Sequence, residues 1–259
     1  MIYLWFSLVV IVCYLIGNIN FARIIAWCFK KEDITTKGSG NPGTMNMLRN
    51  YGIGYAALTL LLEALKSGVP SIVCGYIFAS QGLFEVAFFT AGFSVMLGHN
   101  FPIIYRLRGG KGIACIAGIF FFSPLWYVGL IMFVLCCVFL YFVDYAFIAS
   151  LIFVTSLSVA WIIRLCILQP YMWWVALIIV IAILIFAYAM HHANIRRFIN
   201  HSENHTNFKQ KVDKLFGKKE KIVEMEQPPE KEIVIEDDGQ NEQTETEIVV
   251  EDKEDGEAE

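Results

Sequence analysis

Apolar runs of membrane length dominate this chain, at roughly residues 3–28, 53–79, 83–105, 145–168 and 171–190. A helix of about 20 residues crosses a hydrocarbon layer about 30 Å thick, so each run is long enough to span a bilayer. With 57% apolar residues and a mean hydropathy of +0.56 over 259 residues, the chain exceeds what a soluble core requires. The expected fold is an all-α, polytopic integral membrane bundle. The first run lacks a basic start and a small-residue cleavage site, so it is read as a retained span.

The stretch from Gly112 to Val143 is ambiguous, because Ser123-Pro124 in its middle allows one long helix or two short ones. Charge decides between them. Basic residues gather at Lys30, Lys31, Lys37 and Arg49, at Arg106, Arg108 and Lys111, and from Arg196 to Lys221. The positive-inside rule assigns all three groups to the cytoplasm, so an even number of crossings must separate them. A helix broken at the proline satisfies this, giving seven spans with the amino terminus outside; Arg164 is a mild exception.

The net charge of −4 conceals an asymmetry: residues 1–221 carry 18 basic and 8 acidic side chains, whereas 222–259 carry 2 and 16. The body is therefore expected to be a membrane domain over residues 1–204. Residues 205–259 should form a charged cytosolic tail, disordered beyond about 217 because it has too little apolar area to offset its ordering entropy. Short apolar pieces at Ile233–Ile235 and Ile248–Val250 could dock on an unidentified partner. The seven cysteines have neither metal-ligand nor disulfide-framework spacing and are assigned no chemistry.

Chemistry is expected in the loops. "GSGNPGTMN" places Gly38, Gly40 and Gly43 where backbone amides can converge on an anion, beside Ser39, Asn41 and Asn46. Arg49 adds a guanidinium fork suited to phosphate oxygens. A plain glycine-rich turn is the alternative. In "GHNFPIIYRLRGGKG", Gly109, Gly110 and Gly112 flank Lys111 and let a phosphate approach both ammonium and backbone, with His99 at the start of the loop. Arg106 and Arg108 suffice as markers of the cytoplasmic side. Glu63 and Lys66 lie on one face of the second span, as an internal ion pair or as part of a polar pocket. In "HHANIRRFINHSE", His191 and Asn194 share a face, and His191 titrates in a range suited to proton transfer or phosphate contact. His201 and His205 have a helical metal-ligand spacing but no third ligand, so no metal site is assigned.

Taken in order, "GSGNPGTMNMLRNYG", "LEALKSGVP", "GHNFPIIYRLRGGKGIA" and "HHANIRRFINHSE" resemble the motifs of the bacterial acyl-phosphate:glycerol-3-phosphate acyltransferase family, PlsY, over roughly residues 1–204. The resemblance implies transfer of a fatty acyl group from acyl phosphate to the sn-1 hydroxyl of glycerol 3-phosphate, giving lysophosphatidic acid at the cytoplasmic side of the bacterial plasma membrane. It implies an active site of Ser39, Arg49, Lys111, His191 and Asn194. Substrate binding would draw on Gly38, Gly40, Asn41, Gly43, Asn46, Lys66, His99, Gly109, Gly110 and Gly112, with Glu63 and Glu203 in structural roles. It further implies that neither metal nor coenzyme A is needed, that the partners are the two substrates and membrane lipids, and that nucleic acid is not among them. Met45, Glu63, Ser67, Cys115 and Ala193 depart from the family's usual residues. An anion or phosphate-ester transporter and a catalytically reduced scaffold are the competing classes.

Overall fold

The computed structural model describes residues 2–217. The expectations for the acidic tail and its apolar pieces lie outside those residues. The described chain contains eleven α-helices and two 3-10 turns: α1 (Ile2–Gly17), α2 (Phe21–Lys30), α3 (Thr44–Tyr51), α4 (Ile53–Ala79), α5 (Phe84–Asn100), α6 (Ile113–Phe121), α7 (Trp126–Val143), α8 (Ala146–Leu168), α9 (Trp173–Met190), α10 (His192–Ile199) and α11 (Phe208–Leu215). Among the described residues six stretches are long and apolar enough to cross a membrane: Leu4–Lys30, Ile53–Ala79, Phe84–Tyr105, Trp126–Val143, Ala146–Leu168 and Trp173–Met190.

The seventh expected span is α6. The break falls at Ser123-Pro124 as the sequence suggests, but the limb before it has only nine residues. At 1.5 Å per residue it rises only about 14 Å, roughly half a hydrocarbon layer. Ser123 satisfies the turn that Pro124 creates: its hydroxyl donates to the Phe120 carbonyl at 2.7 Å and accepts from the Leu125 amide at 3.2 Å and from Trp161 Nε1 at 3.3 Å. Trp161 lies seven residues before the end of α8 at Leu168, so the α6–α7 turn stops about 10 Å short of that end.

The first run also differs from a single helix over 3–28. Asn18 and Asn20 interrupt it, and α1 ends at Gly17. Asn20 caps α2 by accepting from the Arg23 amide at 2.9 Å, and its Nδ2 donates to the Pro42 carbonyl at 3.0 Å. Asn18 donates to the Tyr14 carbonyl at 2.7 Å and accepts from the Ile103 amide at 2.6 Å. Backbone groups freed inside a membrane domain need replacement partners. Two charged residues of α4 supply them. Lys66 Nζ donates to the carbonyls of Ile19 at 2.5 Å and Gly17 at 3.2 Å, and the Phe21 amide donates to Glu63 Oε1 at 2.8 Å. Lys66 Nζ and Glu63 Oε2 are themselves 2.5 Å apart and almost wholly buried.

Around this point α5 packs between α1, α4 and α9, and α6 lies along α4. Small residues set the close crossings: a Cβ on Gly98 would come 2.0 Å from the Tyr14 carbonyl oxygen, and one on Gly118 would come 2.0 Å from that of Ala64. Helix α7 presents Ile131, Val134, Leu135 and Val138 outward as a lipid-facing helix does.

Removing one member of the buried pair strands the other. Lys66→Met should destabilise the purified protein by about 3–5 kcal/mol, read as a lower thermal midpoint in detergent. Adding Glu63→Gln should recover part of that loss.

Candidate active site

One cavity of about 370 Å³ collects residues from loops that are far apart in sequence. Its polar end is lined by Ser39, Asn41, Gly43, Asn46, Arg49, Glu63, His99, Lys111, Gly112, His191 and Asn194. Gly38, Gly40, Lys66, Gly109, Gly110 and Glu203 do not line it.

The first loop holds its shape through internal hydrogen bonds rather than as an open ring of amides. The amides of Gly40, Gly43 and Ser39 donate to the Lys37 carbonyl, the Asn41 carbonyl and Asn46 Oδ1 at 3.0, 2.9 and 3.1 Å. Asn46 also donates to the carbonyls of Ile34 and Lys37, both at 3.0 Å, so this buried amide is the loop's scaffold. The expected nest therefore gives way to another donor set. Helix α3 begins at Thr44 with Gly43 as its N-cap and no side chain capping it. The Asn46 amide donates to the Gly43 carbonyl at 3.0 Å, which leaves the Thr44 and Met45 amides without intrahelical acceptors, and the positive dipole end faces the cavity.

Helix α6 repeats the arrangement, with Gly112 (φ 80°) as an N-cap that offers no side-chain oxygen. Gly112, Ile113 and Ala114 line the cavity, so two helix N-termini converge on it. Gly109 and Gly110 serve the loop instead: their amides donate to the carbonyls of Asn100 and His99 at 3.2 and 3.1 Å. A Cβ on Gly110 would lie 2.2 Å from His99 Nε2, so glycine is needed there. Arg106 and Arg108 are exposed and outside the cavity, in keeping with marking one side of the membrane.

Lys111 reaches into the cavity and donates to Asn194 Oδ1. Asn194 in turn donates to Glu203 Oε1 at 2.6 Å, and Arg197 Nε donates to Glu203 Oε2 at 2.8 Å. Glu203 thereby fixes which face of the Asn194 amide meets Lys111. Burial, with Arg197 and Arg49 nearby, lowers the Lys111 ammonium to about 8 despite Glu203. Among the described residues no carboxylate touches this ammonium, and a buried cation so placed calls for an anion. His191 sits at the junction of α9 and α10, where its Nδ1 donates to the Ala187 carbonyl at 2.7 Å, leaving Nε2 as the acceptor. Burial, aided by the charge of Lys111, lowers His191 to about 4, so it is neutral at physiological pH.

Lys66 faces away from the cavity. Its ammonium is consumed by two carbonyls, Glu63 and His99, whose Nδ1 lies 3.2 Å from Lys66 Nζ and 3.1 Å from Glu63 Oε2. Glu63, His99 and Cys115 offer three ligand atoms close together, but the Lys66 ammonium already occupies the place of a cation beside the carboxylate. His201 and His205 lie in a non-helical segment, His201 at positive φ, so the helical ligand spacing does not materialise.

From the polar end the cavity continues as an apolar arm between α4, α7 and α8, past Ala57, Leu60, Phe133, Cys137 and Phe153. Thr44, whose buried Oγ1 has no hydrogen-bond partner, and Phe208 also line the cavity and were not singled out in the sequence. Thr44 is legible only once its place in the first turn of α3 is known, and Phe208 lies in what reads as the start of a charged tail.

The model for the glycerol-3-phosphate acyltransferase family matches residues 7–201. A glycerol-3-phosphate acyltransferase of Shouchella clausii is 34% identical over 194 residues, 74% of this chain and 91% of that protein. Among solved structures, crystal forms of PlsY (YgiH), an integral membrane glycerol 3-phosphate acyltransferase, with glycerol 3-phosphate and with lysophosphatidic acid superpose with TM-scores of 0.65 and 0.63. Both are 27% identical and cover 77% of this chain and 94% of theirs. A membrane bundle with this cavity, matched along three quarters of its length, belongs to the glycerol-3-phosphate acyltransferase family.

Proposed function

We propose that the protein transfers a fatty acyl group from acyl phosphate to the sn-1 hydroxyl of glycerol 3-phosphate, producing lysophosphatidic acid and phosphate. The observation that carries this reading is the two-part cavity: a cationic end capped by two helix N-termini opens into an apolar arm reaching between membrane helices. One half suits phosphate esters and the other an acyl chain. The basic loops lie at the same end as the site, which supports a cytoplasmic active site in a bacterial plasma membrane with the amino terminus outside.

Acyl phosphate is a mixed anhydride with a good leaving group, so the site has mainly to position two anions and stabilise oxyanion charge. Holding reactants in near-attack geometry contributes on the order of 7–11 kcal/mol. Lys111 and Arg49 hold phosphate, the α3 and α6 amides and the Ser39 hydroxyl face the reacting oxygens, and His191 Nε2 accepts a hydrogen bond from the glycerol hydroxyl. The hydroxyl oxygen bonds to the acyl carbon, the bond from that carbon to phosphate oxygen breaks, and phosphate leaves with the electron pair and takes up the hydroxyl proton. Most departures from the family's residues fall in packing: Ser67 donates to the Cys115 carbonyl at 2.7 Å, joining α4 to α6, and Ala193 lies outside the cavity. Met45 lines the cavity and packs against buried apolar side chains that include Ile116 on one side and Met47 on the other.

Lysophosphatidic acid formation with each donor tests the reaction: acyl phosphate should support it, and efficient synthesis from acyl-CoA alone would overturn the assignment. Deleting the Lys111 ammonium removes a charge-assisted contact of about 1.5–3 kcal/mol, so Lys111→Ala should raise KM for glycerol 3-phosphate by roughly 10- to 100-fold. The lowered Lys111 value also sets a pH limit, since its charge is present below about 8 and lost above. kcat/KM for glycerol 3-phosphate should fall about tenfold per pH unit on that alkaline side, and Lys111→Arg should remove the limb.

A further inference from the structure

Beyond the matched residues the chain does not leave the site. From Asn204 to Leu215 it runs back across the polar end of the cavity and ends in α11, which packs on α7. Asp144, in the turn between α7 and α8, latches this segment. Its Oδ1 accepts from the Thr206 hydroxyl and from the Phe208 amide at 3.1 Å, its Oδ2 accepts from the Asn207 amide at 3.1 Å, and His205 Nδ1 lies 3.4 Å from Oδ2. Farther along, Tyr141 donates to Asp213 at 2.9 Å. The segment also grips Arg49 at both ends. Arg49 Nε and Nη2 donate to the carbonyls of His205 and Asn204 at 3.2 Å each, and Lys211 Nζ donates to the Arg49 carbonyl at 3.2 Å. Phe208 is the one side chain of the segment that lines the cavity, and it packs against two clusters of buried apolar side chains, one including Ile116 and Val154 and the other Ile25 and Met47.

We infer that residues 204–215 form a strap that seals the reaction cavity against water, with Phe208 as the seal, Asp144 as its latch and both acting as positioning residues. This rests on the acyl phosphate reading above, and the chemistry supplies the reason. An acyl phosphate reacts with water as it does with an alcohol: a water oxygen bonds to the acyl carbon, the bond to phosphate breaks, and fatty acid and phosphate are released. Transfer to glycerol 3-phosphate is productive only if water is kept from that carbon while the donor is bound. The four polar contacts on Asp144 hold the Phe208 ring in place, and the paired carbonyls hold the Arg49 fork beside it. A loose strap would open the site to solvent and free Arg49 together.

The test is the ratio of phosphate released to lysophosphatidic acid formed, measured on full-length protein in detergent with acyl phosphate and glycerol 3-phosphate, and corrected for protein-free hydrolysis. Wild type should release one phosphate per product. Phe208→Ala should raise that ratio by roughly threefold or more through hydrolysis, and Phe208→Leu, which keeps apolar bulk, should bring it back near one. Asp144→Asn keeps the shape but replaces one of the two acceptor oxygens with a donor, and should raise the ratio while also raising KM for glycerol 3-phosphate through Arg49. A ratio of one in both Phe208→Ala and Asp144→Asn overturns the strap, and should Phe208→Ala fail to fold, Asp144→Asn decides alone. Absence of lysophosphatidic acid from the wild type would instead overturn the acyltransfer reading.

Discussion

The architecture depends on a buried ion pair. A helix entering a membrane domain cannot simply stop, because the amides and carbonyls it frees have no water to turn to. The first run stops all the same, at Gly17, and the side chains of Glu63 and Lys66 replace the missing helical partners. The charges are affordable because each finds a charged partner and backbone groups of opposite polarity. In return, the α1–α2 junction is fixed against α4 and α5. Asn20 on that junction holds Pro42, and His99 beneath the pair abuts Gly110. The ion pair thus determines where both glycine loops lie, though the Lys66 ammonium never reaches the cavity.

The site itself is a case of cations held where anions belong. Lys111 is kept in a partly dry pocket by Asn194, whose orientation is set by Glu203, which is itself held by Arg197. Among the described residues no carboxylate neutralises Lys111 by contact, and burial weakens its hold on a proton. In the proposed reaction a substrate phosphate would fill that deficit. Two helix N-termini add donors that need no reorganisation, since their amides are fixed by the helices behind them. Neutral His191 fits the same scheme, offering an acceptor where a second proton would only add repulsion.

Much of this was legible in the sequence. The helix bundle followed from run length, and the break at Ser123-Pro124 from proline together with charge parity. The gathering of Ser39, Arg49, Lys111, His191 and Asn194 followed from loop composition and family resemblance, and all five line one cavity. The misreadings have physical causes. Asn18 and Asn20 are two polar residues in a long apolar run, and averaging over the run hides them, although Asn20 is a good N-cap. Glycine loops suggested an open amide nest, but only the folded chain shows that Asn46 takes up those donors. Lys66 could have pointed to either side of its helix, and spacing alone does not say which carbonyls await it. Phe208 carries no signal, because a single phenylalanine among lysines reads as tail.

The half-length α6 has a further effect. By ending midway and turning into α7, it stands between α4 and α7 and keeps them from closing on one another, so the apolar arm lies among helices whose outer faces meet lipid. Under the proposed reaction a fatty chain would enter that arm from the membrane side rather than through water. Were acyl phosphate the donor, it would be counted per unit of bilayer rather than per litre. Diluting the protein into more lipid at fixed bulk donor would then slow the reaction as surely as removing substrate.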